Sequence, residues 1–325
     1  MKKALITGGC GYLGARLSKY LAEKGYRVTA FDNFSPSKYN HWVSLMEEVI
    51  VGDIRDEAAI SNLVKNNYDV VLHMISLDHQ KSEDNPNLVS AINIMPTWNL
   101  LDKFTKRGLE KFIYFSTIHV YGKLPNEIIK EELTPSPQNA YGLTHLLSEN
   151  ICNYFDRKTD TTCINVRLSN SYGSPVFKEN NCWWLVINDL CRTAFEHNKI
   201  QLLSDGSPQR DFIHSSDIYR AVEILIEAKN GELKENIFHI ASGNTLTILE
   251  LAHMVNKVYK ERYHNENPIY LPDNSISKDM GNLKKVEKYS FDTTRIKKLG
   301  FHPQTNLDTG INKLFDYLEK QYENK

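Results

Sequence analysis

Short apolar runs alternate with longer amphipathic segments through the first half of the chain. The short runs predict strands at 4–7, 27–31, 49–51, 69–75, 111–116 and 162–168. The amphipathic segments predict helices at 12–24, 87–107 and 138–157. Nearly continuous apolar strands that alternate with helices indicate a parallel sheet covered on both faces. We therefore predict an α/β fold with a doubly wound parallel sheet.

The second half has a looser pattern. Helices are predicted at 183–197, 216–228, 248–259 and 307–322, short strands at 200–203 and 237–240, and loops at 260–267 and 273–288. We expect residues 1–170 to form the main domain. Residues 171–325 should form a smaller lobe that closes over it, with some elements interleaved.

Composition excludes several classes of protein. The 325 residues are 41% hydrophobic and 24% charged, and the net charge of −1 gives no attraction to nucleic acid or anionic membranes. Five widely spaced cysteines without a CxxC pair give no metal-site signal and are typical of reduced thiols. The apolar run after the N-terminal lysines is too short for a signal peptide, and no later run approaches a membrane span. We expect a soluble, cytoplasmic protein with no membrane or nucleic-acid partner.

A glycine cluster follows the first predicted strand and opens the first helix. Gly8, Gly11 and Gly14 permit a tight turn, close approach of a pyrophosphate to the backbone, and close helix–sheet packing. The N-terminal N–H groups of the helix, near Tyr12 and Leu13, would point at the phosphates. The turn therefore predicts a dinucleotide site of the Rossmann type.

An acidic residue at the end of the second strand narrows the dinucleotide to NAD. Asp32 lies 18 positions after Gly14, where a carboxylate binds the adenosine ribose hydroxyls. A carboxylate there repels the 2′-phosphate of NADP, and Asn33 and the two residues after it supply no arginine. Asp53 and Ile54, after the third strand, are candidates for contact with the adenine.

Later segments match one known family in order. Together with the glycine turn and Asp32, they resemble the extended short-chain dehydrogenase/reductase family, in particular its NAD-dependent nucleotide-sugar epimerase/dehydratase branch. The resemblance spans nearly the whole chain. Its later markers are Gly52-Asp53, His73-Met-Ile-Ser76, Asn93, Phe115-Ser-Thr-Ile-His-Val-Tyr-Gly122, Tyr141-Gly-Leu-Thr-His145, Arg167-Leu-Ser-Asn-Ser-Tyr-Gly173, Gln209-Arg-Asp-Phe-Ile-His214 and Leu299-Gly-Phe301.

The resemblance implies hydride transfer between NAD and a nucleotide-diphosphate sugar. Thr117 matches the catalytic Ser/Thr that hydrogen-bonds the reacting oxygen, and Tyr141 matches the tyrosine that takes or returns its proton. The resemblance also implies cofactor contacts at Met74, Ser76 and Asn93. Diphosphate contacts are implied at Asn170 and Arg210, with Arg295 a weaker candidate. A homodimer is a further implication.

The proton-relay motif departs from the family. The family has Tyr-x-x-x-Lys, whereas His145 stands in the lysine position, one helical turn after Tyr141. An imidazole can donate to a ribose hydroxyl, but it holds no constant charge near neutral pH. Three interpretations stay open: a histidine relay with stronger pH dependence, a ketoreductase in which Tyr141 acts as an acid, or a protein that kept binding and lost catalysis.

A second departure narrows the reaction. Sugar dehydratases of this family carry an Asp-Glu pair directly after the catalytic threonine, where this chain has Ile118 and His119. Dehydration and decarboxylation are therefore disfavoured, and His119 is a candidate to line the substrate pocket. The leading hypothesis is a 4-epimerase, with a 4-keto-sugar reductase and a catalytically impaired NAD- or sugar-binding protein as alternatives.

Overall fold

The structure is a computed structural model that describes residues 1–229, 231–277 and 288–323. Its strands are β1 (Lys3–Thr7), β2 (Arg27–Asp32), β3 (Glu48–Val51), β4 (Val70–His73), β5 (Lys111–Thr117), β6 (Ile128–Ile129), β7 (Thr162–Leu168), β8 (Asn170–Tyr172), β9 (Ile200–Gln201), β10 (Gln209–His214), β11 (Ile237–Ile240), β12 (Thr245–Thr247), β13 (Ile269–Tyr270) and β14 (Ser290–Phe291). Its α-helices are α1 (Tyr12–Glu23), α2 (Asn40–Val43), α3 (Glu57–Leu63), α4 (His79–Asp84), α5 (Pro86–Val89), α6 (Met95–Thr105), α7 (Ala140–Lys158), α8 (Val186–His197), α9 (Ser215–Glu227), α10 (Ile248–Tyr263), α11 (Thr294–Lys298) and α12 (Leu307–Glu323).

Seven strands form the main sheet in the order β11-β7-β5-β4-β1-β2-β3, and all of their pairings are parallel. The order reverses between β1 and β4, so the connections that leave these two strands diverge. A crevice at the carboxyl ends of the strands results, and this is where open α/β sheets bind ligands. The predicted fold class is confirmed.

Helices cover both faces of this sheet. Successive side chains of β1 point to opposite faces, so Ala4 and Ile6 pack in one core with α1 and α9, and Leu5 packs in another with α3 and α6. Burial on both faces explains why the strands are almost wholly apolar.

The smaller lobe has its own core. Helices α8, α10 and α12 pack around residues such as Ile187, Val255 and Phe315 beside the three-stranded sheet β12-β10-β8. The main sheet takes β11 from beyond residue 170, and α9 packs against α1. The division into 1–170 and 171–325 with interleaved elements stays a prediction.

Some local boundaries differ from the sequence prediction. The helix expected at 87–107 runs as α5, a π-helical turn over Ser90–Ile94, and α6. Pro96 lacks an N–H and cannot continue an α-helical ladder through this point, which accounts for the interruption. The strands β8, β10 and β12 were not predicted, because short polar strands lack a clear apolar pattern. The loop expected at 273–288 lies mostly outside the described residues.

Within the described ranges, no helix is both long and apolar enough to cross a lipid bilayer.

Candidate active site

The glycine turn lies at the carboxyl end of β1, beside the switch point of the sheet. The backbone N–H groups of Gly8 and Gly9 donate to the Phe31 carbonyl of β2 at 2.8 and 3.1 Å, which holds the turn against the sheet. Gly8 has φ of +77°, a conformation that favours glycine. A Cβ on Gly14 would lie 1.9 Å from the Gly8 carbonyl oxygen, so only glycine lets α1 begin this close to the turn. This backbone fits a pyrophosphate at the N-terminus of α1.

Asp32 lies at the end of β2 on the rim of the same turn and is 9% exposed. Its carboxylate accepts the N–H of Cys10 at 3.0 Å and the N–H of Phe34 at 3.1 Å, which fixes its orientation. Burial raises the pKa of this carboxyl, and the backbone N–H groups oppose the rise. Each oxygen keeps a further lone pair for a ribose hydroxyl. Asn33, next in the chain, is exposed.

The adenine candidates after β3 behave differently from each other. Asp53 forms an ion pair with Arg55, whose Nε lies 2.9 Å from one carboxylate oxygen and 3.0 Å from the other. This pairing lowers the pKa of Asp53. Ile54 is buried in the core next to α3. Their contact with adenine stays a prediction.

The remaining cofactor candidates are spread around the crevice. The Tyr12 hydroxyl donates to the Gly173 carbonyl at 3.0 Å and so ties the start of α1 to the smaller lobe. Leu13 lines the cleft that holds Thr117. Met74 and Ser76 follow β4 and are half-buried.

Asn93 has a role that its sequence position did not reveal. Its Oδ1 accepts the Leu77 N–H at 2.8 Å, and its Nδ2 donates to the Thr144 hydroxyl at 3.0 Å. Asn93 itself lies in the π-helical segment, and its amide links the loop after β4 to the N-terminal part of α7. We infer a role in positioning Tyr141; direct contact with a cofactor stays a prediction.

Thr117 and Tyr141 meet in a cleft of about 240 Å³ between the two lobes. Thr117 ends β5, and Tyr141 lies in the first turn of α7, whose N-terminus is capped by Asn139. The pKa of Tyr141 is raised to about 12, chiefly by burial and further by the charge of Asp78, while the hydrogen bond with the Thr117 hydroxyl opposes the rise. A hydroxyl and a phenol side by side can hold and move a proton at one substrate oxygen.

His145 lies one turn further along α7 and is 2% exposed. Its ring packs edge-on against Tyr141 with 4.5 Å between the ring centroids, and its Nδ1 shares a 2.8 Å hydrogen bond with the Tyr114 hydroxyl. Burial lowers the pKa of His145 to about 3, and His119 and His73 lower it further. The imidazole is therefore neutral at physiological pH and supplies no positive charge to Tyr141.

Two further histidines border Tyr141. The His119 ring lies 5.8 Å from the Tyr141 ring, and burial, Arg210 and His79 lower its pKa to about 4. His79, at the start of α4, lies 6.2 Å from His119 and 6.4 Å from Tyr141 between centroids. We did not predict His79 from the sequence. Its place just after the carboxyl end of β4, at the switch point, was the available signal.

The diphosphate candidates separate into two groups. Asn170 lines the cleft and donates its Nδ2 to the Asp211 carbonyl at 2.9 Å. Arg210 is exposed on β10 and lies near enough to His119 for its charge to lower the pKa of that histidine. Arg295 lies elsewhere: its Nε is 3.6 Å from Glu131, and it also pairs with Glu132.

Arg295 lines a larger cavity of about 810 Å³ at the β11 edge of the sheet. That cavity is bordered mainly by lysines and carboxylates and includes neither the glycine turn nor Tyr141. Size alone would favour it, but the groups that can carry out hydride-transfer chemistry converge in the smaller cleft. The structure does not bring Arg295 together with the other candidates.

A buried ion pair connects the elements that form the cleft. Arg167 on β7 and Glu149 on α7 lie 2.7 Å apart, with side chains 3% and 1% exposed. Glu149 also accepts from Ser116 on β5, and Arg167 donates to the Tyr121 hydroxyl at 2.8 Å. The network joins the strand that carries Thr117 to the helix that carries Tyr141.

Known proteins are similar to this chain over nearly its whole length. The model of the NAD dependent epimerase/dehydratase family matches residues 4–241. The chain is 24% identical over 318 residues to a putative UDP-glucose 4-epimerase of Methanocaldococcus jannaschii, covering 97% of this chain and 98% of the relative. It is 27% identical over 329 residues to a UDP-N-acetyl-alpha-D-glucosaminuronate decarboxylase of Bacillus cytotoxicus, covering 98% of each.

A solved structure shows the same fold. The UDP-glucose 4-epimerase of Thermotoga maritima, determined with UDP-glucose, superposes with a TM-score of 0.83 at 24% identity and covers 98% of this chain and 99% of its own. Because the family model spans well over half of the residues, the resemblance seen in the motifs is confirmed at the level of the family. The chain belongs to the NAD-dependent epimerase/dehydratase family and is an enzyme whose cofactor is NAD.

Proposed function

We propose that this enzyme is a 4-epimerase of a nucleotide-diphosphate sugar. The observation that carries the proposal is the meeting of Thr117 and Tyr141 in one cleft with Asn170, at the switch-point crevice that also holds the glycine turn. The similarity to the two UDP-glucose 4-epimerases supports the sugar class. The smaller lobe would hold the nucleotide sugar through Asn170 and Arg210.

The mechanism follows from the positions of the side chains. Bound NAD supplies a hydride acceptor and, on return, a donor. Tyr141 takes the proton from the reacting sugar hydroxyl, while Thr117 holds that oxygen by a hydrogen bond. The same phenol then returns the proton after the keto sugar has turned in the cleft. His145 would hold the nicotinamide ribose through an imidazole nitrogen.

Product analysis tests the 4-epimerase proposal. The enzyme with NAD should convert a UDP-hexose into its 4-epimer, detected by NMR of the sugar, without net change in the NADH absorbance. The Tyr141→Phe variant should lose at least a hundredfold in turnover while it still binds NADH. Equal turnover by wild type and Tyr141→Phe would overturn the assignment of Tyr141.

The reductase alternative has its own supporting observation. A neutral His145 leaves the Tyr141 pKa at about 12, and a phenol with a high pKa keeps the proton that it must donate to a ketone. A 4-keto sugar mixed with NADH would then lose NADH absorbance stoichiometrically as it is reduced. Failure of both assays, with NADH and UDP-sugar still bound, would instead support the binding protein without catalysis.

Ile118 and His119 stand where a dehydratase carries carboxylates, which disfavours dehydration.

We also propose a homodimer formed by α6 and α7. Large apolar side chains are 42–52% exposed on this pair of helices: Met95, Trp98, Leu143, Leu147 and Tyr154. Leu143 and Leu147 are one turn apart on α7, and the Trp98 and Tyr154 rings stack with 5.6 Å between centroids. A second copy of this surface would cover them symmetrically.

Light scattering during gel filtration tests the dimer. Leu147→Glu places a charge at the centre of this surface and should shift the protein to the monomer mass. The control is Leu203→Glu, because Leu203 is 91% exposed outside this surface. An unchanged dimer in Leu147→Glu, or a monomer in wild type, would refute the proposed interface.

The five buried thiols are consistent with a reducing cytoplasmic location, which we also propose.

A further inference from the structure

His145 is held by a residue outside the sequence motifs. Tyr114 lies on β5 and is 1% exposed, with its hydroxyl 2.8 Å from His145 Nδ1 and 5.7 Å between the two ring centroids. The Tyr141 ring packs on another side of the same imidazole. The imidazole is therefore clamped between a central strand and its own helix.

The other imidazole nitrogen has a different environment. His145 Nε2 is buried and makes no hydrogen bond to the part of the chain that the structure describes. An unmade hydrogen bond on a buried polar atom costs about 1–3 kcal/mol, so native proteins rarely leave one. A ligand hydroxyl within reach of Nε2 would satisfy it. The role proposed above for His145 would bring the hydroxyls of the nicotinamide ribose to this atom.

We propose that Tyr114 is a positioning residue, whose hydroxyl holds Nδ1 of His145 so that Nε2 faces the nicotinamide ribose. A lysine at position 145 would need no such partner, since its ammonium carries three donors that rotate freely. An imidazole has two nitrogens at fixed angles, so one must be occupied for the other to point correctly. Tyr114 occupies it. This proposal rests on the role proposed for His145 and not on the identity of the sugar.

The groups that face His145 come from several elements. Tyr141 belongs to α7 and Tyr114 to β5. His119, after β5, and His73, on β4, both lower the pKa of the imidazole. The Phe115 carbonyl also lies close to it and favours a protonated nitrogen. Among these, only the Tyr114 hydroxyl makes a side-chain hydrogen bond to the imidazole within the described residues.

A double-mutant cycle on NADH affinity tests the proposal. Tyr114→Phe removes only the hydroxyl and should weaken NADH binding about fivefold, the usual value of one neutral hydrogen bond. In the His145→Lys background the same substitution should change NADH affinity less than about twofold, because the lysine does not use Tyr114. As a matched control, Tyr259→Phe removes a buried tyrosine hydroxyl that bonds Asn198 at 2.9 Å in the smaller lobe, and should leave NADH affinity unchanged.

Nitrogen-15 NMR of labelled histidine gives a second readout on the unaltered protein. The signals of His145 are assigned by their loss in His145→Lys. On addition of NADH the Nε2 resonance should shift, while Nδ1 should keep its position. An equal loss of affinity in both backgrounds, no loss in either, or a shift at Nδ1 would overturn the role of Tyr114. Because sugar turnover is not measured, these outcomes are independent of the 4-epimerase proposal.

Discussion

Replacing His145 by lysine should restore a charge that the site lacks. The imidazole has a pKa of about 3 and is neutral, so burial leaves the Tyr141 pKa at about 12. The two rings are 4.5 Å apart between centroids, and we take about 5 Å as the separation between a lysine ammonium at this position and the phenol oxygen. At an effective dielectric constant of about 20, that separation is worth about 3 kcal/mol, or about 2 pKa units.

The Tyr141 pKa should therefore fall to about 10 in His145→Lys. The assay is an ultraviolet difference titration of tyrosinate, in which the titration of Tyr141→Phe in the same background is subtracted to remove the signal of all other tyrosines. His145→Gln is the neutral control and should keep the high pKa. Below the lowered pKa the tyrosinate fraction at a given pH rises about a hundredfold, so oxidation of the sugar should accelerate at neutral pH. A midpoint in His145→Lys that matches His145→Gln would refute the electrostatic reasoning.

Three other outcomes follow from the packing. Gly14→Ala would place a Cβ 1.9 Å from the Gly8 carbonyl oxygen, so we expect loss of binding in an NADH titration or a large destabilisation in urea unfolding. The control is Gly231→Ala, whose Cβ meets no described heavy atom within 4 Å and which should change neither quantity. Normal binding by Gly14→Ala would contradict the turn geometry. Glu149→Leu leaves the buried Arg167 without its charge partner and should lower the unfolding free energy by about 3–5 kcal/mol in urea. Arg167→Met in the same chain should recover much of that loss, and additive losses in the double variant would contradict this. Burial lowers the pKa of His73 to about 3, as for His145, so below pH about 6.5 the unfolded state binds more protons and the protein loses stability as the pH falls. Each of the two histidines should remove about 2 kcal/mol of unfolding free energy between pH 8 and 5. His73→Gln should reduce this slope.

The sequence alone determined the features that depend on local pattern. Apolar runs placed six of the seven strands of the main sheet in the first 170 residues, and the run at 237–240 supplied the seventh. Gly8 and Gly14 marked the phosphate turn because a strand precedes it and a helix follows it. Thr117 and Tyr141 were placed by motif, and the histidine at 145 was visible as a departure.

Only the tertiary structure decided what surrounds these residues. The neutral state of His145 follows from its burial and from the neighbouring His119 and His73. Sequence spacing carries no information about either. Asn93 matches a family marker, yet both ends of its amide bind the protein itself. Arg295 lines a different cavity, where it pairs with Glu131 and Glu132 just after β6. Charge state and hydrogen-bond partner depend on contacts between residues distant in the chain, whereas strands, turns and motifs depend on neighbours.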